Sequence, residues 1–222
     1  MKFPFEKIFC LHLAEDVDRY NNINSIIKHF NIEDQFEYWW TCKKSPINNP
    51  IGNNMDNLKD GYYENKIKTN PNVYGNVFDC AYNHYSIIKQ AYLRGLNSIL
   101  IIEDDIQFTR NDEILSNLFE MMPKDYNIIK FYYSFDMNKE KLKTIKYVDK
   151  SDPHFYNYDF STLCYALSKE GMRIMIEEYE NNFRSADVVL ENIKKNDSKN
   201  DKYFILSFQA LCWPIGNKSN IV

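Results

Sequence analysis

Apolar positions along the chain alternate between two periods. Lys7 to Leu13 (KIFCLHL) reads as a strand, and Ile23, Ile26, Ile27 and Phe30 then recur at i, i+3, i+4 and i+7, the spacing of one helix face. Phe36 to Thr41 (FEYWWT) is rich in strand formers and predicts a second strand. From Cys42 to about Tyr74 the composition turns to Asn, Pro, Lys and Gly, so a long polar loop is expected over about 42–75, with one helical turn near Tyr62 to Ile67. Such a loop serves as a lid or substrate wall, or it is disordered.

The strongest pattern follows. Ile87, Ile88, Ala91 and Tyr92 give a helix face over about Asn83 to Arg94, and Gly95 stands where a helix stops. The run Ile99 to Ile102 is uninterrupted and apolar, as in a strand buried on both faces of a parallel sheet. Glu103, Asp104 and Asp105 close it. Next come a helix through Ile114, Leu115, Leu118, Phe119 and Met122, capped by Asn111 and stopped by Pro123, and a strand over Asn127 to Tyr133. A second polar excursion covers about 134–160, with a short strand at Thr144 to Val148 and a loop histidine, His154, that lines an acceptor groove or simply faces water. Ser161 to Leu167 predicts a strand, and Ser168 caps a helix bearing Met172, Met175, Ile176 and Tyr179. A late helix runs to about Lys195. Strands alternating with helices in this way predict a single α/β domain over 1–222, with a mostly parallel, Rossmann-like central sheet.

Composition changes little in that picture. At 222 residues, 44% hydrophobic and 26% charged, the chain is of ordinary globular type and large enough for one sizeable core. Aromatics at 16% exceed what is usual; they fill the core or, in part, offer ring faces to sugars. A net charge of −4 with no basic run argues against nucleic acid as a partner. Five widely spaced cysteines without a Cys-x-x-Cys pair point to reduced thiols in a cytoplasmic compartment, rather than to disulfides or a zinc site. The short apolar piece Ile8 to Leu13 is neither a signal peptide nor a membrane span.

The candidate chemistry sits at the acid triplet. Ligands of open α/β sheets bind beyond the carboxyl ends of the strands. In extended chain, side chains two apart point the same way, so Glu103 and Asp105 would face one side and Asp104 the other. Two hard oxygen ligands with open positions suit Mg²⁺ or Mn²⁺, which can neutralise a departing diphosphate. The alternative is that the acids merely end a buried strand at water.

Cys80, Ala81, Tyr82, Asn83 and His84, followed by Ile99 to Ile102 and by Glu103-Asp104-Asp105, resemble the glycosyltransferase family 25 pattern. That pattern, of the lipooligosaccharide-biosynthesis and collagen-galactosyltransferase type, is a Gly-Cys-x-x-Ser-His helix, an apolar strand and Glu-Asp-Asp. Asp79 stands in place of the Gly and Asn83 in place of the Ser. Further matches are Asp18-Arg19 at the start of the first helix, Asp125, the Thr162, Tyr165 and Ser168 element, and the segment around Asp187. Asn220 replaces an Asp near the end.

The resemblance implies a GT-A type nucleotide-sugar fold. It also implies metal-dependent, inverting transfer of galactose or glucose from a UDP-sugar to a glycan, lipid-linked or protein acceptor, soluble or peripheral at a membrane. It places the metal on Glu103 and Asp105 and the donor at Arg19, His84 and Asp104. Asp187 becomes the general base or an acceptor-orienting group. Each has a plainer reading: Arg19 as a surface ion pair, His84 as a core histidine, Asp187 as a helix cap. A catalytically silent carbohydrate- or protein-binding relative is the other functional class. A receiver domain or a nuclease fits less well, because the acid pair is not near the first strand and no lysine closely follows the acids.

Overall fold

The computed structural model describes residues 2–41, 71–132, 145–156, 161–207 and 211–215. The expected turn at Tyr62 to Ile67, most of the 42–75 loop, the side chain of His154, and Asn220 lie outside the described residues.

The first unit is β1 (Lys7–Leu13), α1 (Val17–Phe30) and β2 (Phe36–Thr41). Asp16 caps α1 by accepting from the Arg19 N–H, and Asn31 ends it at φ 51°, a left-handed conformation that asparagine tolerates. The four apolar residues predicted from the spacing are the ones α1 buries.

The next helix, α2 (Pro71–Leu93), starts well before the expected Asn83. Asn, Pro and Gly made 71–75 read as loop, yet proline at the first helical position gives up only an N–H that has no partner there. Gly95 ends the segment as expected, at φ 76°. Then come β3 (Ser98–Glu103), β4 (Ile106–Phe108), α3 (Asp112–Glu120) and β5 (Ile128–Lys130). The chain continues through β6 (Tyr147–Val148), β7 (Cys164–Ser168), α4 (Lys169–Asn181) and α5 (Ala186–Lys195) to β8 (Tyr203–Leu206) and β9 (Cys212–Pro214). Asn111 and Ser168 cap α3 and α4, as their positions predicted.

Seven strands form one sheet in the order β2-β1-β3-β7-β5-β8-β6. The β1–β2, β1–β3 and β5–β8 pairs are parallel and the other pairs antiparallel, so five of the seven strands share one direction and β7 and β6 oppose it. β3 therefore has a parallel neighbour on one side only, a departure from the fully parallel environment its apolar run implied. β4 and β9 make a separate two-stranded ribbon that periodicity did not reveal, since three residues are too few to show a period.

The sheet divides two apolar layers. On one side Ile23, Ile26, Ile27 and Phe30 of α1 and Leu115, Leu118 and Phe119 of α3 pack with Leu100 and Ile102. On the other, Ala81, Ile87, Ile88 and Ala91 of α2, Met172 and Met175 of α4 and Val189 and Leu190 of α5 pack with Ile99 and Ile101. Alternation along β3 thus feeds both layers. From β1 the chain crosses one face through α1 to β2, then returns across the other face through α2 to β3 on β1's far side. The connection reverses between β1 and β3, which opens a crevice at their carboxyl ends, where open α/β sheets hold ligands. No helix among the described residues is long and apolar enough to cross a membrane.

Candidate active site

Two segments meet at that crevice: the loop after β1, from Leu13 into α1, and the acid turn after β3. A hollow of about 370 Å³ opens there, lined by Leu13, Glu15, Asp16, Val17 and Asp18. A larger hollow, about 580 Å³, lies at the opposite rim beside Asn97, Asn127, Ser168 and Lys202, at the amino ends of β3, β5 and β8. Three of the cations that line it are paired with acids, Lys202 with Asp125, Arg173 with Glu170 and Glu177, and Lys199 with Glu178. Position at the carboxyl ends of β1 and β3 favours the smaller hollow as the site.

β3 ends at Glu103, and Asp104-Asp105 form a turn into β4, so the chain is not extended through all three acids. Glu103 and Asp104 still diverge, as alternation requires. Asp104 is only 4% exposed. Its Oδ1 accepts from Arg19 Nη1 at 2.7 Å, and its Oδ2 accepts from His12 Nδ1 at 2.8 Å and from the Leu13 N–H at 3.0 Å. Expected at the donor, Asp104 is turned inward with both oxygens engaged by the protein. Arg19 is likewise occupied: Nε lies 3.2 Å from Asp16 and Nη2 3.8 Å from Asp105.

Glu103 turns to the α2 side. Thr162 Oγ1 donates to its Oε1, and His84 Nε2 lies 3.6 Å away, beyond hydrogen-bond length. Burial pushes this carboxyl up, but His84, Thr162 and Arg19 outweigh it and hold it below the ordinary value. His84 is fully buried, and its Nδ1 shares a 2.8 Å hydrogen bond with the Tyr165 hydroxyl. It belongs to the layer behind the crevice.

Asp105 differs from its neighbours. Its Oδ1 is buried and no hydrogen-bond partner reaches it. Burial first, then the Glu103 charge, pushes its carboxyl up to about 6, with Arg19 pulling the other way. A buried carboxylate oxygen without a donor beside a second carboxylate is a position a hard divalent cation would satisfy. The residues present therefore fit the expected Mg²⁺ or Mn²⁺ on Asp105 and Glu103. The Ile215 N–H donates to the Asp105 carbonyl at 2.7 Å, so the chain beyond β9 departs from the acid turn.

Asp187 is in the first turn of α5, where its Oδ1 accepts from the Val188 N–H and Ser185 makes no side-chain cap. It lies close enough to raise the Cys80 thiol, which burial raises most, followed by Glu103, Asp187, Asp105 and Asp79. Asp187 and the acids Glu103 and Asp105 thus act electrostatically on the same thiol of α2. His12 was missed as a site residue. Its signal was available: a histidine at the carboxyl end of a buried strand requires a polar partner. Tyr20, Tyr38 and Trp40 surround its ring at centroid distances of 5.6, 5.6 and 5.1 Å, and Trp40 is 55% exposed.

The model of glycosyltransferase family 25, described as an LPS biosynthesis protein, matches residues 5–190. A crystal structure of a glycosyltransferase involved in the glycosylation of the major capsid of PBCV-1 aligns with 90% of this chain and 81% of its own. The identity is 10% and the TM-score 0.45, a likeness too slight to fix the fold by itself. No curated protein matches.

Proposed function

Because the chain belongs to glycosyltransferase family 25, we propose that it moves galactose or glucose from a UDP-sugar to a hydroxyl of a glycan, lipid-linked or protein acceptor, with inversion and with Mn²⁺ or Mg²⁺ as cofactor. The observation that carries this reading is the buried, unpartnered Asp105 Oδ1 beside Glu103 at the switch-point crevice. Asp105 and Glu103 would hold the cation, which would supply positive charge opposite a departing diphosphate.

The chain's own residues do the rest. Arg19 and His12 fix Asp104, and through it the turn that carries Asp105. Trp40 offers an exposed ring face at the carboxyl end of β2 for a sugar or the uracil. Asp187 takes the proton from the acceptor hydroxyl as its oxygen bonds to the anomeric carbon and the bond to the diphosphate breaks. We place it in a reducing, cytoplasmic setting on the five widely spaced cysteines without a Cys-x-x-Cys pair.

The test is thermal unfolding with UDP. UDP raises the melting temperature only with Mn²⁺ or Mg²⁺ present, and Asp105→Asn abolishes the shift. A metal-independent shift, or none at all, overturns the cation reading. Calorimetry across UDP-sugars then identifies the donor. Release of UDP from the bound sugar separates an enzyme from a silent carbohydrate-binding relative.

A further inference from the structure

We propose that Cys80, His84 and Glu103 form a binding site for a thiophilic divalent cation, Zn²⁺ foremost, distinct in ligand chemistry from the oxygen site at Asp105. Cys80 and His84 are four residues apart on α2, so they share one helix face, and Glu103 reaches them from the end of β3. A sulfur, a ring nitrogen and a carboxylate oxygen from these residues all lie within 4.8 Å of one another. With metal–ligand bonds of about 2.0–2.3 Å, tetrahedral ligands stand roughly 3.5 Å apart, so closing on an ion needs side-chain movement of about 1 Å.

The second observation is His84 itself. Its Nε2 is buried without a hydrogen-bond partner and is directed at Glu103 Oε1, 3.6 Å away. An orphaned buried ring nitrogen is costly unless something fills the gap. The Tyr165 hydroxyl on Nδ1, with the two rings stacked at 5.7 Å, fixes the imidazole. Metal binding takes the tautomer with the proton on Nδ1, donated to the Tyr165 hydroxyl, and the ion then replaces the imidazole charge beside Glu103. That is the arrangement of a metal-binding histidine held by an outer hydrogen bond, and Thr162 anchors Glu103 in the same way.

Three protein ligands leave a fourth tetrahedral position open, and the thiolate selects Zn²⁺ or Co²⁺ over Mg²⁺ and Mn²⁺. Glu103 belongs to both sites. Zinc bound here therefore withdraws it from Asp105 and opposes Mn²⁺.

The site is tested with Co²⁺ as probe on the whole chain. One equivalent should give a thiolate-to-cobalt charge-transfer absorption that Zn²⁺ abolishes. Cys80→Ser removes the band, His84→Gln weakens Co²⁺ binding by at least about 10-fold, and Asp105→Asn leaves both intact. No band in the native protein, or a band unchanged in Cys80→Ser, overturns the proposal. Cys80 is only partly buried, so its serine variant decides the matter even if His84→Gln does not fold. The two readings fail separately. A cobalt band without a Mn²⁺-dependent UDP shift removes the Mn²⁺ reading at Asp105 and keeps the thiolate site, and the reverse result removes the thiolate site alone.

Discussion

Arg19 Nη1 donates to Asp104 Oδ1 at 2.7 Å across 85 residues of sequence, tying the first turn of α1 to the turn that carries the acids. Both groups are largely buried, with side-chain exposures of 14% and 6%. Removing one partner of a buried pair leaves the other charge uncompensated. Asp104→Ala should therefore destabilise the protein by about 3–5 kcal/mol in urea unfolding. Asp104→Asn, which retains oxygen and shape, should cost less. An unchanged midpoint for Asp104→Ala would show that the pair is dispensable.

The Asp105 carboxyl, raised to about 6, makes a pH-dependent prediction. Its folded value exceeds its unfolded value near 4, so the folded state binds the extra proton between them. Its contribution is thus present below about pH 4 and is lost as pH rises through about 6. Without added metal, Asp105→Asn should stabilise the protein by roughly 3 kcal/mol at pH 7.5 and by almost nothing at pH 4. Melting curves at the two pH values check this. Equal effects at both would contradict the burial argument.

Proton and cation compete for the same oxygen. Mn²⁺ affinity, followed by calorimetry, should fall as pH drops through about 6. A flat profile from pH 5 to 8 would place the cation elsewhere.

Thr162→Val removes the hydroxyl that donates to Glu103 while keeping the side chain's shape. A hydrogen bond to a charged group contributes about 1.5 kcal/mol or more, so Mn²⁺ binding should weaken by roughly 10-fold. Unaltered Mn²⁺ binding would mean that Glu103 is not a ligand.

Gly171 tests the packing of α4 independently of the site. A Cβ there would lie 1.9 Å from the Asn127 carbonyl oxygen, a backbone atom that cannot step aside. Gly171→Ala should lower stability by about 1–3 kcal/mol or more in denaturant unfolding. Under conditions where the variant is folded, its Mn²⁺ affinity should match the native protein's. A neutral result would mean that the helix shifts freely on the sheet.

What the sequence by itself determined is local. Helix faces at Ile23 to Phe30 and Ile87 to Ala91, the caps Asn111 and Ser168, and the apolar run ending in acids each arise from residues within a few positions of one another. Periodicity and turn chemistry record such relations directly. Glu103 and Asp104 turn to opposite sides for the same local reason. The family motif from Cys80 to Asp105 was legible too, because its parts are contiguous.

Only the tertiary structure decided how those parts meet. Asp104 satisfies Arg19 and His12, 85 and 92 residues away, and so faces inward, while Asp105 is left with a bare oxygen. β7 enters antiparallel between β3 and β5, bringing Thr162 and Tyr165 against Glu103 and His84. Pairings at such separations depend on chain reversals and strand order, which no window of neighbouring residues encodes. Which carboxylate is buried, and which is left to bind a cation, is therefore a property of the folded sheet.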